Sequence, residues 1–317
     1  MSCPTPVIFL IFRRPDLTAQ VFEAIRQAQP TKLLVVADGP CNEEEAILCQ
    51  QAREVTEQVD WDCDVFRNYS DVNLGCRERV SSGITWAFEK VEEAIILEDD
   101  CLPHPDFFLY CATLLDRYRY DERVWCITGD NATKIPLASN RYSYGFIKYP
   151  LIWGWATWRR CWNNYLHDFD HIEEIAAEES YRESLYGTNS SLSDIRFSYW
   201  KSIMQGRGPD SWAASWAFTC MINSGLTVLP SVNLVSNIGF GKDATHTFGS
   251  GSQRCDAEVM PILPLRHPPF MIRDSHAERA FEKTIYGQLD VGRFSFRLTA
   301  LWLKTKVVHF SKGQRKI

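Results

Sequence analysis

Several patterns that define common classes of protein are absent from this sequence of 317 residues. It contains no run of 18 or more apolar residues, so a membrane-spanning helix is not expected. The amino-terminal stretch MSCPTPVIFLIFRR lacks a basic region before its apolar part and is too short for a signal peptide. The eleven cysteines are scattered, odd in number and without a C-x-x-C pair, which argues against a disulfide framework and a zinc site. We therefore expect a reducing, cytoplasmic compartment in which most cysteines pack as small apolar side chains.

A positive net charge is also missing. The formal net charge is −6 and the isoelectric point is about 5.7, which argues against sequence-independent binding of nucleic acid over a broad face. A small anionic ligand is compatible with this balance if local arginines or a metal ion receive it. Hydrophobic residues make up 45% of the chain, which is enough for a substantial core, and there are no internal repeats or low-complexity tracts.

Apolar, strand-like runs alternate with helical patterns over the first 130 residues. The helical patterns place apolar residues three and four positions apart, and each lies between two of the apolar runs. This alternation indicates parallel strand pairing and therefore an α/β fold, with a Rossmann-type, mostly parallel twisted sheet flanked by helices. The predicted strands are residues 6–12, 32–38, 64–69, 94–97 and 123–128.

The second half of the chain is more helical and more aromatic. Residues 149–165 concentrate aromatic side chains among turn formers, and residues 167–209 are charged and helical in character. Residues 210–225 predict a further helix that is capped by Asp210 or Ser211 and terminated by Gly225.

The carboxyl-terminal segment is basic. No acidic residue occurs after Asp290, and residues 293–317 carry seven Lys or Arg. Basic and apolar positions overlap on a helical wheel, so a solvated helix is the simpler interpretation and a membrane-surface anchor is the alternative. The alternative would place this cytoplasmic protein peripherally at the inner face of the membrane.

Three consecutive carboxylates, Glu98, Asp99 and Asp100, directly follow the apolar run at residues 94–97. Like charges beside a core are costly unless a positive charge lies among them. Hard oxygen ligands grouped at the end of a strand suit Mg²⁺ or Mn²⁺, whose coordination is completed by phosphate oxygens and water. A helix N-cap or a turn is the alternative for an acidic pair in this place, but three successive acids favour a divalent metal site.

Polar residues follow other predicted strands as well. Arg13 and Arg14 follow the first strand, Asp38 ends the second, and the stretch GDNATK at residues 129–134 follows the strand at residues 123–128. In an open parallel sheet, ligands bind outside the carboxyl ends of the strands, so these groups belong to one edge. Asp106, in contrast, is predicted to cap the helix that follows the carboxylates.

These motifs resemble those of a known family. The pattern E-D-D-x-x-x-x-P-D-F-F after a strand resembles the metal motif of GT-A-fold nucleotide-diphospho-sugar glycosyltransferases, among them the inverting N-acetylglucosaminyltransferases of complex N-glycan initiation and bacterial hemolysin-like sugar transferases. PVIFLIFRRPDLTAQVFEAI, VVADGP and NLGCRERVSSGITWAF are similar to the segments before that motif. WGWATW, PDSWAASW and NLVSNIGFGKDATHT are similar to recurrent blocks of the bacterial proteins. The resemblance covers most of residues 5–250 and, through PLRHPPF, reaches about residue 270.

The resemblance implies a GT-A-like fold and a metal-dependent sugar transfer. The donor would be a nucleotide-diphosphate sugar, with a UDP-sugar favoured, and the acceptor a glycan, a lipid-linked glycan or another hydroxyl compound. Mn²⁺ or Mg²⁺ would assist, and the product would belong to polysaccharide biosynthesis. Three regions follow from this reading: a nucleotide-sugar-binding half (1–130), an acceptor-side half with a donor-closing loop (131–275) and a basic helical tail (276–317).

Individual roles are implied in the same way. Asp100 would ligate the metal, and Asp38 would accept a hydrogen bond from the N3–H of uracil. Arg77 falls where the eukaryotic relatives carry a residue that faces a phosphate or ribose. The complete predicted donor set is Arg13 (or Arg14), Asp38, Arg77, Glu98 and Asp99. For each arginine a solvated surface charge is the alternative.

The general base is less clearly marked. The related sequences carry an acid between two tryptophans, whereas this chain has Ala213 and Ala214 between Trp212 and Trp216. Asp210 is the nearest carboxylate and is the predicted base of an inverting reaction. A helix N-terminus would lower its pKa, which is tolerable if the proton is transferred late. A role as cap only, or another acid such as Asp194, are the alternatives.

Two further site residues are predicted in the second half. His246 lies in a glycine-flanked loop and is predicted to ligate the metal or contact a phosphate, with simple exposure as the alternative. The tryptophans of residues 152–162 favour core packing, with Trp155 as the candidate for an exposed sugar platform, and Gly154 is expected in a tight turn.

Two other functions compete with the glycosyltransferase hypothesis. A nucleotidyltransferase shares the nucleotide-binding half, but it would carry a glycine-rich loop after the first strand, and FRRPDLT contains no glycine. A non-catalytic nucleotide-sugar-binding protein on a degenerate fold is suggested by Ala213, which stands in place of an acid.

Overall fold

The computed structural model describes residues 3–186, 190–240 and 257–286. Within these ranges the chain forms an eight-stranded sheet flanked by helices, together with a separate two-stranded sheet. The elements in chain order are β1 (Val7–Ile11), α1 (Pro15–Ala28), β2 (Lys32–Ala37), α2 (Glu43–Val55), β3 (Asp64–Tyr69), α3 (Cys76–Phe88), β4 (Glu93–Glu98), β5 (Cys101–Pro103), α4 (Asp106–Tyr118), β6 (Val124–Thr128), β7 (Tyr144–Ile147), β8 (Trp155–Trp158), α5 (Arg159–Trp162), α6 (Ile172–Ala177), α7 (Glu179–Tyr186), α8 (Ser190–Met204), α9 (Trp212–Ile222), β9 (Leu226–Pro230), β10 (Val235–Asn237) and α10 (Ser275–Tyr286).

The large sheet has the strand order β3-β2-β1-β4-β8-β6-β9-β7. Strands β3, β2, β1 and β4 are parallel, and Phe9 at the centre of β1 lies between Val35 of β2 and Leu97 of β4. Every residue of β1 and β6 is buried, as expected for strands that are covered on both faces. The predicted class, an α/β fold with a mostly parallel sheet flanked by helices, is confirmed.

The direction of strand addition reverses at β1. Its first neighbour in the chain, β2, lies on one side, and β4 lies on the other, so the carboxyl ends of β1 and β4 form the topological switch point at which open parallel sheets bind ligands. Arg13 and Arg14 leave β1 at this edge, and Glu98 ends β4 beside them. The topology therefore assembles residues that are about 85 positions apart in the chain, as the Arg14–Asp99 pair shows.

Residues with special backbone conformations mark the start of α1 and the end of α9. Helix α1 begins with Pro15 and buries Val21, Phe22 and Ile25 on one face, as the spacing predicted. Helix α9 ends in a different way from the prediction. Ser224 adopts the left-handed conformation (φ 55°), and the N–H of Gly225 then donates to the carbonyl of Cys220 at 2.8 Å. Gly225 is needed for space, because a side chain there would overlap the ring of Trp125.

The described residues fall into two compact units. One comprises those of Met1–Leu166 and Ser211–Ala280, and it contains both sheets. The other comprises those of His167–Asp210 and Phe281–Ile317, in which α6, α7 and α8 pack together through aromatic contacts and a Lys201–Glu173 ion pair of 2.6 Å. The predicted boundary at residue 130 falls between β6 and β7 of the continuous large sheet.

The described ranges contain neither a disulfide nor a helix that could span a membrane. The ten cysteines there form no disulfide, and seven of them are buried. No helix in the same part of the chain is both long and apolar enough to cross a bilayer.

Candidate metal and nucleotide site

The three carboxylates lie where β4 turns into β5. The Asp99 side chain is buried, and its Oδ2 accepts the N–H of Phe12 at 3.3 Å. The guanidinium of Arg14 forms ion pairs with both Asp99 and Asp100, the second at 3.0 Å between Nη2 and Oδ2. The positive charge that the sequence requires at this place is therefore supplied by Arg14, which stands between two carboxylates.

The electrostatics of the cluster follow from burial and charge. Burial, together with the neighbouring Asp100 and Asp99, raises the pKa of Glu98 to about 8, although Arg14 opposes this. Burial also raises the pKa of Asp99, although the contact with Arg14 opposes this. For Arg14 burial acts against the charge, but the two aspartates outweigh it and its pKa is raised. The cluster thus holds one permanently charged cation among three acids.

The small sheet covers this cluster. Strand β10 pairs with β5 in antiparallel orientation, and the N–H of Ile238, just after β10, donates to the carbonyl of Asp100 at 2.9 Å. Gly239 follows, and its N–H donates to Oδ1 of Asn237 at 2.9 Å. A side chain at Gly239 would overlap the Asp100 carboxylate and lie 2.9 Å from Nη1 of Arg14. Glycine is therefore required at position 239, and no role for it followed from the strand pattern.

Asp38 shapes a turn at the end of β2. Its Oδ1 accepts the N–H groups of Gly39 (2.8 Å) and Leu74 (3.0 Å), and its Oδ2 accepts Nδ2 of Asn73 (3.1 Å) and the N–H of Gly75 (3.2 Å). A carboxylate offers about four lone-pair positions, and these four contacts use them. In this arrangement Asp38 holds the 73–75 turn, and its predicted hydrogen bond to a uracil N–H stays a prediction that requires one contact to be exchanged.

Two arginines that the sequence reasoning missed support the same edge. Arg53 of α2 donates through Nη2 to the carbonyls of Asp38 (3.1 Å) and Ser70 (2.7 Å). Arg79 of α3 is buried and donates through Nε to the carbonyl of Ala37 at 3.0 Å. Burial lowers the pKa of Arg79. Helical spacing offered one signal, since Arg79 lies four residues before Gly83 on the buried face of α3.

The other predicted arginines lie at the same end of the sheet. Arg13 pairs with Glu45 of α2, and its guanidinium lies 5.3 Å from the ring centroid of Phe12. Arg77 lies in the first turn of α3, directly after the 73–75 turn that Asp38 holds. The structure thus brings Arg13, Arg14, Asp38 and the carboxylates to one edge of the sheet, and places Arg77 beside it.

Residues 129–134 have a structural role. Asn131 is buried, and its Oδ1 accepts the N–H of Ile135 at 2.7 Å while its Nδ2 donates to the carbonyl of Pro230 at 2.9 Å. The N–H of Asn131 also donates to Oδ1 of Asn233 at 2.9 Å. The amide groups therefore tie the end of β6 to the connection between β9 and β10.

The prediction that Trp155 is an exposed sugar platform is wrong. Trp155 is fully buried and stacks on Trp212 with ring centroids 5.7 Å apart, because β8 lies in the middle of the sheet. Trp153 is the partly exposed tryptophan of this segment, and its ring meets that of Phe240 edge to face at 5.6 Å. The tight turn at Gly154 is confirmed by its φ of +62°.

Asp106 does not cap its helix. Pro105 occupies the N-cap position, and Oδ2 of Asp106 instead accepts the N–H groups of Ile262 (2.9 Å) and Leu263 (3.2 Å). The side chain points out of the first turn because the strand-like segment that passes there needs acceptors for its backbone donors.

The structure describes Asp210, the predicted base, but not His246, the predicted histidine ligand. Ser211 occupies the N-cap position of α9 without a side-chain hydrogen bond to the helix, and Asp210 precedes it with an exposed side chain. Asp210 belongs to the second compact unit. His246 lies outside the described residues.

The donor set at the carboxylates fits one divalent ion. One nitrogen of Arg14 contacts carboxylate oxygens of both Asp99 and Asp100, which shows that the two side chains converge on a single cationic centre. Two carboxylates are the usual protein contribution to a Mg²⁺ or Mn²⁺ site. Among the described residues no group of three or more His, Cys, Asp or Glu is arranged to hold a metal, so water or a ligand must complete the coordination.

No family model and no curated protein matches the chain. Among solved structures, UDP-glucose pyrophosphorylase complexed with UDP-glucose is 12% identical, with a TM-score of 0.31, over 56% of this chain and 80% of its own. HddC from Yersinia pseudotuberculosis is 9% identical, with a TM-score of 0.30, over 49% and 77%.

A third solved structure is 4-diphosphocytidyl-2C-methyl-D-erythritol synthase from Anaerococcus prevotii. It is 8% identical, with a TM-score of 0.28, over 56% of this chain and 78% of its own. These values describe a partial likeness of the backbone and assign neither a family nor an activity. The description of this chain as a Rossmann-like α/β protein rests on its own strand order.

Proposed function

We propose that this protein is a divalent-metal-dependent glycosyltransferase that uses a nucleotide-diphosphate sugar, with a UDP-sugar favoured. The observation that carries the proposal is the convergence of Asp99 and Asp100 on one cationic centre at the point where the strand order of the sheet reverses. Carboxylate oxygens at such a point match a cation that arrives with a diphosphate.

In this proposal Asp100 is the direct ligand of Mn²⁺ or Mg²⁺, and His246 is a further ligand. When bound, the ion supplies a Lewis acid that stabilises the negative charge of the leaving diphosphate. Glu98 and Asp99 contact the ribose or the donor sugar, and Asp38 and the turn it holds lie at the base end of the donor. Arg13 and Arg77 contribute positive charge toward the phosphates.

Asp210 is the proposed general base of an inverting transfer. Its role is to accept the proton of the acceptor hydroxyl as the bond to the anomeric carbon forms and the bond to the diphosphate breaks. The proposed acceptor is a glycan or a lipid-linked hydroxyl compound. A cytoplasmic location, with peripheral contact of the basic carboxyl terminus at the membrane, belongs to the same proposal.

The connection between β1 and α1 favours this reading over a nucleotidyltransferase. It consists of Phe12, Arg13 and Arg14, after which Pro15 starts the helix directly. A glycine-rich loop that would wrap a triphosphate with backbone N–H groups is therefore absent from this described connection. The products discriminate the two reactions: a glycosyltransferase with water as acceptor yields UDP and free sugar, whereas a nucleotidyltransferase run with pyrophosphate yields UTP and a sugar 1-phosphate.

The test measures thermal unfolding with a panel of UDP-sugars, with and without Mn²⁺, followed by product analysis. We expect one UDP-sugar to stabilise the wild type only with metal, by about 2.7 kcal/mol at a concentration of about 100 times its Kd. Asp100→Asn removes this stabilisation, whereas the control Asp62→Asn, at an exposed position before the amino end of β3, retains it. Equal stabilisation with EDTA and with Mn²⁺ would contradict the proposed metal site.

A further inference from the structure

Arg14 is held at the carboxylates by the backbone of α1. Its carbonyl accepts both the N–H (2.9 Å) and the Oγ1 (2.8 Å) of Thr18, and Pro15 fixes the first turn. The Arg14 side chain is 18% exposed, and that of Asp99 is 4% exposed. The backbone position is thus fixed, while the long side chain that spans to the carboxylates retains rotatable bonds.

The charges at this place do not balance. Asp99 and Asp100 are two acids, and Arg14 is the cation that contacts both of them among the described residues. One nitrogen of Arg14, Nη2, contacts both carboxylates, so one positive charge is shared between two acids.

The occupied position is also closed on one side. Gly239 lies against both partners, since a side chain there would overlap Asp100 and lie 2.9 Å from Nη1 of Arg14. A metal ion that binds Asp100 where its carboxylate converges with that of Asp99 cannot share this space with the guanidinium, because two cations would repel each other at contact distance.

We propose that Arg14 is an internal counter-ion that occupies the metal position until metal and diphosphate arrive together. The inference rests on the proposed function. A metal ion alone must displace a guanidinium that then lacks an anion, whereas a metal ion that comes with a diphosphate brings an anion for the displaced Arg14. Binding of the metal and binding of the nucleotide are therefore coupled through one side chain, and free metal is disfavoured.

The test compares the affinity for Mn²⁺ alone and for Mn²⁺ with UDP, measured by titration calorimetry and by electron paramagnetic resonance of free Mn²⁺. The wild type binds Mn²⁺ alone weakly, and UDP strengthens this binding by a factor in the usual range of allosteric coupling, about 5- to 150-fold. Arg14→Gln removes the competing charge, so its affinity for Mn²⁺ alone rises by about the same factor and the strengthening by UDP is largely lost. Arg14→Lys, which keeps the charge, behaves more like the wild type.

Two controls accompany the test. Arg26→Gln removes a positive charge from the same helix, at an exposed ion pair with Asp60, and leaves the affinity for Mn²⁺ unchanged. Circular dichroism shows whether Arg14→Gln is folded, and Arg14→Lys keeps the test decisive if it is not, since a lysine that leaves the coupling intact supports a role of the charge.

The outcomes separate the two proposals. If UDP and Mn²⁺ bind the wild type, but Arg14→Gln binds Mn²⁺ alone no more tightly than the wild type does, the role of Arg14 is overturned and the metal site stands. If neither protein binds Mn²⁺ with or without UDP, the metal site of the proposed function is overturned, and the role of Arg14 with it. Tighter binding of Mn²⁺ alone to Arg14→Gln supports both.

Discussion

At the scale of single residues, the acids at the strand ends differ in what surrounds them. The carboxylate of Asp38 is saturated by four donors, one from the next residue and three from the 73–75 turn, whereas Asp99 and Asp100 share one guanidinium. A saturated carboxylate serves the fold, while the carboxylates that share Arg14 are the ones at which we propose exchange of the guanidinium for a metal ion. Aspartates at the same edge of the sheet therefore have two roles: Asp38 stabilises a turn, and Asp99 and Asp100 are the candidates for binding a ligand.

This difference yields a prediction for Asp38→Asn. The amide of asparagine places an NH₂ group where one carboxylate oxygen accepted two donors, so at least one N–H of the 73–75 turn loses its acceptor. We expect the free energy of unfolding to fall by about 1–3 kcal/mol, as measured by urea denaturation. Asp71→Asn, an exposed change in the same loop, is the matched control and should stay within about 0.5 kcal/mol of the wild type. A similar loss in both variants would contradict the role assigned to Asp38.

At the scale of elements, several connections are held by side chains from other parts of the chain. Arg53 and Arg79 bind carbonyls at the ends of β2 and β3, and Asp106 binds the N–H groups of residues 262–263. These side chains supply hydrogen bonds to backbone groups at the ends of strands and in connecting segments. Side chains of the neighbouring helices therefore help to fix the carboxyl ends of the strands, where the candidate site lies.

The Asp106 contact can be tested at the two amides it binds. Asp106→Asn replaces an acceptor of two N–H groups with an amide that can present its nitrogen instead. We expect faster hydrogen exchange at Ile262 and Leu263, and a loss of about 1–3 kcal/mol in the free energy of unfolding. The exchange at Leu234, whose N–H is bound by the carbonyl of Gly129, should be unchanged relative to global stability. Unchanged hydrogen exchange at residues 262 and 263 would show that Asp106 does not hold this segment.

At the scale of the whole molecule, a short polar chain links distant segments of the first unit. The hydroxyl groups of Tyr118 and Tyr144 lie 2.7 Å apart, and the Tyr144 hydroxyl lies 2.9 Å from Nδ1 of His267. These residues join α4, β7 and the extended segment near residue 267. Partial burial and the nearby Arg117 lower the pKa of His267 below its usual 6.5.

This chain predicts a dependence of stability on pH. Since the pKa of His267 is lower in the folded state, the unfolded state binds more protons in the window just below pH 6.5. The contribution of neutral His267 is therefore complete above pH 6.5 and is lost as the pH falls through the folded-state pKa. We expect the slope of stability against pH in that window to be smaller in His267→Gln than in the wild type, as measured by urea denaturation between about pH 7 and pH 5. Equal slopes would assign the dependence to other groups.

How far the sequence predicts this protein depends on the range of the interactions involved. Periodicity located β1, β2, β3, β4 and β6 to within about two residues, because burial of apolar side chains is written into local spacing. It also placed the carboxylates at a strand end and indicated that a cation must lie among them. It did not show that Trp155 is buried, because the position of β8 within the sheet depends on partners far away in the chain.

The sequence by itself determined the alternation of strands and helices, the α/β class and the unfavourable grouping of three acids after an apolar run. Only the tertiary structure decided which group answers that charge. Strand order brings the end of β1 beside the end of β4, and so Arg14 meets Asp99 and Asp100 across about 85 residues of sequence. The small sheet then places Gly239 against the pair. Such contacts arise from packing between distant segments, and local propensity carries no information about them.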